Sequence, residues 1–389
     1  MIGLLSKIFI KNPDNPESPE TRRAYGTLCG AVGIVLNILL SIAKLIGASL
    51  TGSVSVAADA MNNLSDAGSS AVTLVGFRLA GQKPDHTHPF GHGRIEYISG
   101  FIVSMIVILM GFELGKTSVE RIISGETSDF SIASVIILSV SIAVKLYMYL
   151  YNTAIAKKIS SAAMKATAAD SLSDCVATGA VLICTVISRF ASIPLDGWCG
   201  LAVSLFILRS GIMTAKDTLD PLLGTPPDAE FVERIKNIVM SYPEVSGMHD
   251  LIVHNYGPGR TMISLHAEVP QSVNILEIHD TIDNIEHRLA HELNCNAVIH
   301  MDPIATDDEL TVSTREKVAE LVRALDPTIT IHDFRMVVGQ THTNLIFDMV
   351  IPFGFRLSDA QIADEMDRLV KIISPDYNAI INIDKSYTE

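Results

Sequence analysis

Two pairs of polar residues recur at one spacing inside stretches that are otherwise apolar. The first is Asn62 and Asp66 in ADAMNNLSDAG; the second is Asp170 and Asp174 in ATAADSLSDCV. Residues four apart on a helix share a face, so each pair points two oxygen-bearing side chains the same way. Each pair lies roughly 8–12 residues into its run, or ~12–18 Å along a helix, near the middle of a ~30 Å bilayer core. Two antiparallel helices would bring the four side chains to one level. Three carboxylates in hydrocarbon are costly without compensation, and neither run carries a Lys or Arg at that level. A divalent cation, replaced by protons when it leaves, supplies the missing charge. Oxygen donors without imidazole or thiolate suit Mg²⁺, Ca²⁺ and Mn²⁺ and reduce the advantage of zinc. Plain helix-to-helix hydrogen bonding is the competing reading; two matched pairs with three acids weigh against it.

The elements that must position these pairs are apolar runs near 26–48, 54–80, 95–115, 131–153, 162–188 and 197–214. Each is close to or above the ~20 residues that span a bilayer, which predicts six transmembrane helices. The second run is the least hydrophobic, since it holds Asp59, Asn62, Asn63 and Asp66, but it is long and free of proline. Asp59 falls nearer the outer end, as a packing or mouth residue. Lys44, Lys145 and Glu113 are expected to snorkel or pair. With the N-terminus in the cytoplasm, twelve Lys and Arg fall on inside segments and only Lys116, Arg121 and Arg189 outside. The positive-inside rule then places both termini in the cytoplasm. The opening MIGLLSKIFI is too short to span and lacks a small-residue cleavage site; it suits an amphipathic helix lying on the membrane.

The chain has 389 residues, 48% of them hydrophobic and 19% charged, with a mean hydropathy of +0.34. Those values exclude a disordered or fibrous chain and argue against an ordinary soluble enzyme. The formal charge of −14 is unevenly spread: residues 1–226 hold 16 acids against 17 Lys and Arg, and residues 227–389 hold 27 against 12. An acidic tail on a lipid-embedded front half is no nucleic-acid binder. The five cysteines form no C-x-x-C pair and read as buried, inert thiols. No phosphate-binding G-x-x-x-x-G-K-[ST] loop is present, and no nucleophile–base pair stands out, so direct ATP drive and hydrolytic chemistry are not expected. Nothing calls for an organic cofactor.

From 227 onward the periodicity changes. A helical face at Phe231, Ile235, Ile238 and Val239 is followed by alternating segments at 247–257 and 260–269, a helix at 273–293 and a strand at 296–302. The same order recurs: a helix face at Val318, Leu321, Val322 and Leu325, strands at 331–339 and 342–351, a helix at 358–373 and a strand at 378–384. Residues repeat too: GMHDLIV (247–253) aligns with TIHDFRM (330–336), and NAVIHMD (296–302) with NAIINID (378–384). The expected architecture is an α-helical polytopic membrane protein with a duplicated cytoplasmic α+β domain. Its parts are a cytoplasmic N-terminal segment at 1–24, a six-helix transmembrane domain at 25–216, one α+β module at 227–305 and a second at 306–389.

Six runs, two four-spaced pairs and this tail together resemble the cation diffusion facilitator family of divalent-metal transporters. The resemblance implies a ferredoxin-like tail, a secondary active transporter rather than an enzyme, and efflux of metal from the cytoplasm. It also implies exchange for protons and a homodimer through the cytoplasmic domain. The composition and the lack of sorting signals suit a bacterial plasma membrane. Zinc members carry HxxxD or DxxxD in the second span and HxxxD in the fifth. Here Asp170 stands where that histidine would be, and the set Asn62, Asp66, Asp170, Asp174 is similar to the manganese branch. A zinc, iron or cobalt exporter of the same family stays open, as does a membrane metal sensor that does not transport.

The resemblance also marks two further ligand sets. Asp85, His88 and His92, in KPDHTHPFGHGRIE, match a shallower loop site of some members; a structural turn is the alternative. His249, His266, His279, His300 and Asp302 match metal-binding positions of the family's cytoplasmic domain, where the ion acts as a regulator. The second module has His332, Asp348, Gln361, Asn382 and Asp384 at those places. It is expected to have lost the paired-metal site, with His332, Asp348 and Asp384 left to hold one hard ion weakly. His254, His287, His291 and His342 read as surface residues. The second module is expected to enlarge or regulate the dimer interface.

Overall fold

The computed structural model describes residues 2–10, 18–51, 54–124, 132–191, 196–339 and 341–385. The chain divides into two units near residue 225.

The first unit is helical: α1 (Ile2–Phe9), α2 (Pro19–Thr51), α3 (Val54–Ala80), α4 (Ile95–Ser124), α5 (Ile132–Lys158), α6 (Ala162–Ala191) and α7 (Asp196–Leu223). Among the described residues, four helices are long and apolar enough to cross a membrane: α2, α4, α5 and α7. Six helices are long, but among the described residues α3 falls short in hydropathy, and most side chains in the apolar C-terminal half of α6 lie outside the described residues. These two helices are also the ones that bury polar side chains. Asn63, Asp66, Ser69, Ser70 and Thr73 of α3 are buried, as are Thr167, Asp170, Ser171, Ser173 and Asp174 of α6. Meanwhile Met61, Leu64 and Val75 of α3 are exposed. Polar residues inside and apolar residues outside invert the pattern of a water-soluble bundle, as a lipid surround requires.

Helices α2 and α3, α4 and α7, and α5 and α6 pack as pairs. Close approach of α2 to α3 depends on Gly30, where a Cβ would stand 2.8 Å from the Cβ of Leu74 and 3.0 Å from its backbone. The Ser41 hydroxyl donates to the Ala60 carbonyl at 2.8 Å along the same seam. Between α3 and α6, the hydroxyls of Thr73 and Thr167 meet at 2.8 Å. A buried ion pair, Arg22 Nη2 to Glu96 Oε1 at 3.0 Å, ties α2 to α4. The side chain of Asp59 lies outside the described residues.

The second unit holds α8 (Ala229–Val239), β1 (Gly247–Asn255), β2 (Thr261–Pro270), α9 (Ile275–Leu293) and β3 (Cys295–Ile304). It continues with α10 (Glu309–Leu325), β4 (Thr330–Val338), β5 (Thr343–Ile351), α11 (Asp359–Ile373) and β6 (Tyr377–Lys385). The strands form two three-stranded sheets, β1-β2-β3 and β4-β5-β6. Both modules follow one plan down to register: β2 pairs parallel to β3 with His266 opposite His300, and β5 pairs parallel to β6 with Asp348 opposite Asn382. Each sheet has its own core. Ile235, Leu251, Leu265, Ile285, Leu289 and Ile299 fill the first, and Val318, Val322, Leu345, Phe347, Ile362 and Met366 the second.

Local signals start the helices. The Asn274 side chain caps α9 by accepting from the Leu276 N–H at 2.9 Å. Ser358 and Gln361 form a reciprocal capping box on α11.

Candidate metal centres

Asp66 on α3 and Asp170 and Asp174 on α6 come together, each offering an oxygen within 4.8 Å of the others. All three are almost fully buried. Asn62 is half-buried, one turn before Asp66 on the same helix. Oδ1 of Asp66 and Oδ1 of Asp170 are buried without a hydrogen-bond partner. Neither acid-bearing helix carries a base at this level, as expected, but a third helix brings one. Lys145 of α5, itself buried, donates to Asp66 Oδ2 at 2.7 Å and to Asp174 Oδ2 at 2.6 Å. The base arrives from a third helix, which a reading of the two acid-bearing runs alone misses. The sequence signal was there: Lys145 is the only Lys or Arg within 131–153, and its expected pairing is met. Lys44 likewise donates to Asn63 Oδ1 at 3.2 Å. Glu113 is exposed.

In the segment between α3 and α4, Asp85, His88 and His92 cluster as well. Asp85 Oδ2 is 3.5 Å from His92 Nε2, Asp85 Oδ1 is 3.8 Å from His88 Nδ1, and the two rings lie 4.6 Å apart. The same Oδ1 accepts from the Thr87 hydroxyl at 2.7 Å, the Thr87 N–H at 2.9 Å and the His88 N–H at 2.7 Å. These bonds close a turn and hold the Asp85 carboxyl at about 2, Thr87 contributing most. The segment is thus a structural turn whose free Oδ2 faces a buried imidazole.

The tail holds a larger cluster. His249 Nε2 stands 3.2 Å from Asp302 Oδ2, and His266 Nδ1 is 2.8 Å from the same oxygen. His300 is exposed, with Nε2 3.3 Å from Asp302 Oδ1. His279 is exposed on α9 and joins no cluster among the described residues. In the second module, Asp348 and Asp384 gather around the buried His332. Gln361, at the place of His279, serves the α11 cap instead. His254, His287, His291 and His342 are exposed.

Two features of this cluster escaped the sequence. The rings of His249 and His332, one from each module, stack at 4.1 Å. Asp250, unremarkable in sequence, reaches the edges of both rings, with Oδ2 3.4 Å from His249 Nδ1 and Oδ1 3.8 Å from His332 Nε2. Asp250 and its counterpart Asp333 both have left-handed backbones, φ 51° and 50°. That conformation is uncommon for a residue with a Cβ, and in β4 it coincides with a slip in register after His332. The electrostatics follow the geometry. Burial works against a charged His249, but the neighbouring Asp250 outweighs it and raises the imidazole. Burial and then His249 lower His332. The His249 contact lowers Asp250, whereas burial and then Asp250 and Asp348 raise Asp384.

Comparison with known proteins places this geometry. Residues 31–223 match the cation efflux transmembrane domain, and residues 227–304 match the cytoplasmic domain of cation efflux proteins. An uncharacterised transporter of Methanocaldococcus jannaschii is 32% identical over 272 residues, covering 70% of this chain and 96% of that protein. The cation-efflux pump FieF of Escherichia fergusonii is 28% identical over 286 residues, covering 72% of this chain and 95% of the pump. Its Escherichia coli counterpart is 27% identical over 285 residues. Both matched stretches end before α10, so the second module lies outside them. The chain belongs to the cation diffusion facilitator family: it is a multi-pass membrane transporter for cation efflux, not an enzyme.

Proposed function

We propose that this transporter exports Mn²⁺ from the cytoplasm across a bacterial plasma membrane in exchange for protons. The ion is carried by Asp66, Asp170 and Asp174 together with Asn62. The observation that supports this most is the donor set: three buried carboxylates within 4.8 Å of one another, with no imidazole or thiolate among them. Oxygen-only sites suit Mn²⁺ and reduce the advantage that zinc gains from nitrogen and sulfur. Six spans, both termini in the cytoplasm and a homodimer joined through the tail complete the reading.

Lys145 gives the cycle a definite unloaded state. With no metal bound, its ammonium neutralises part of the carboxylate charge. An arriving cation takes over the oxygens of Asp66 and Asp174 and displaces that ammonium. On the outer side, protons compete with the metal for the same oxygens and release it. Helix rearrangement between the two states turns that competition into transport.

The test is uptake into proteoliposomes with one metal at a time. Wild type should move Mn²⁺, and Asp66→Ala and Asp170→Ala should each abolish movement while the protein stays folded. Transport surviving in either variant would refute the site. Mn²⁺ that binds but never crosses would refute transport and leave a membrane sensor.

A further inference from the structure

We propose that the two α+β modules of one chain share a two-ion site that locks them together, with Asp250 as the bridging carboxylate. One ion takes His249, His266 and Asp302 of the first module. The other takes His332, Asp348 and Asp384 of the second. This inference goes beyond the transport reading and stands whether or not Mn²⁺ is the cargo.

Spacing carries the argument. Three sets of possible ligands overlap across the module boundary: His249 with His266 and Asp302, His249 with Asp250 and His332, and His332 with Asp348 and Asp384. A neutral imidazole has one lone pair to give, so His249 and His332 each serve one ion, and three sets reduce to two ions. Bonds of ~2.0–2.2 Å to a tetrahedral ion hold its ligand atoms about 3.3–3.5 Å apart. The observed separations bracket that value. His249 Nε2 to Asp302 Oδ2 is 3.2 Å, His332 Nε2 to Asp384 Oδ2 is 3.7 Å, and His332 Nε2 to Asp250 Oδ1 is 3.8 Å; His266 Nδ1, at 2.8 Å from Asp302 Oδ2, is hydrogen-bonded to it and would open by about 0.5 Å to admit the ion.

A second observation points to a ligand. His332 is 6% exposed, and neither of its ring nitrogens makes a hydrogen bond. Buried polar atoms without a partner are costly and rare. A simple ion pair would draw an acid to about 2.8 Å from the ring, yet Asp384 and Asp250 stop at 3.7 and 3.8 Å. An ion between them satisfies His332 Nε2 and both acids.

Asp250 is built to bridge. Its left-handed backbone turns the carboxylate so that Oδ2 faces His249 and His266, at 3.4 and 3.9 Å, while Oδ1 faces His332. Asp333, at the same place in the second module, is instead held by Arg335 at 2.5 Å. The modules are keyed together beside the site by the buried Glu268. It accepts the Asp333 N–H at 3.3 Å and pairs with Arg315 of α10 at 3.5 Å. Mixed imidazole and carboxylate donors select a borderline ion of the Zn²⁺ type rather than a hard one.

The test uses the full-length protein in detergent, stripped with chelator and equilibrated against buffered Zn²⁺ alone. Bound zinc is counted, and amide hydrogen exchange is followed in β1 and β4. Wild type should bind one more zinc ion per chain than His332→Ala, and zinc should protect both strands. Asp250→Asn should weaken the remaining tail affinity by about tenfold or more and uncouple protection of β4 from that of β1. Asp348→Asn, milder in the fold, should lose the same ion as His332→Ala. Equal zinc counts and affinities in wild type, His332→Ala and Asp348→Asn would overturn the proposal. So would zinc protection confined to the first module. None of these readouts involves transport, so failure here leaves the efflux reading untouched, and loss of transport in Asp66→Ala leaves this one untouched.

Discussion

Lys145 on α5 donates to Asp66 on α3 at 2.7 Å, and its Nζ reaches Asp174 on α6 at 2.6 Å. One ammonium thus joins three helices at the level where the cation is proposed to bind. In the proposed cycle it competes with that cation for the same oxygens.

Replacing Lys145 by Met removes the competitor and keeps most of the volume. The three carboxylates then face a cation with nothing to displace, so Mn²⁺ should bind about tenfold tighter or more. Release should slow, and the transport rate should fall even as affinity rises. Equilibrium dialysis and initial-rate uptake on the same preparation check both parts. Weaker binding in Lys145→Met would mean that the ammonium orients the acids rather than competing with the metal.

The Arg22–Glu96 pair is buried on both sides. Removing one partner strands a charge away from water, which costs about 3–5 kcal/mol. Glu96→Ala should therefore melt at a clearly lower temperature in detergent, while the double change Arg22→Met with Glu96→Met should recover much of the loss. Thermal unfolding of the three proteins decides it.

Much of this was legible in the sequence, for reasons that particular residues show. The duplication could be read because the repeats keep both words and period, and the paired registers at His266–His300 and Asp348–Asn382 follow from that. Asp66, Asp170 and Asp174 could be read because an acid in an apolar run is conspicuous. Lys145 resisted because helical periodicity describes one helix at a time and says nothing of which neighbour leans across. Asp250 resisted because its role depends on a left-handed backbone and on a stacked pair of histidines 83 positions apart in the chain. The low hydropathy of α3 comes from the buried face that holds Asn63, Asp66, Ser69, Ser70 and Thr73.

Asp85 offers a check on the turn between α3 and α4. Its carboxyl sits at about 2, chiefly through the Thr87 hydroxyl. A depressed value means that the charged form stabilises the turn. That contribution is present above the ordinary carboxylate range and is lost as acid carries the pH down through about 2. Thr87→Val should raise the Asp85 value toward normal, so that the loss begins at higher pH. Carbon-detected NMR titration of Asp85 reads the shift directly; an unchanged midpoint would contradict the assigned cause.

The central claim is that an all-oxygen site makes this exporter select Mn²⁺, and the Asp170→His variant tests it most directly. Initial rates of Mn²⁺ and Zn²⁺ uptake are measured in the same proteoliposomes for both proteins. A nitrogen donor at 170 should tilt preference toward zinc, so the Mn²⁺ to Zn²⁺ rate ratio should fall by about tenfold or more. A ratio unchanged by the substitution would contradict the account, because selectivity would then lie outside the three carboxylates.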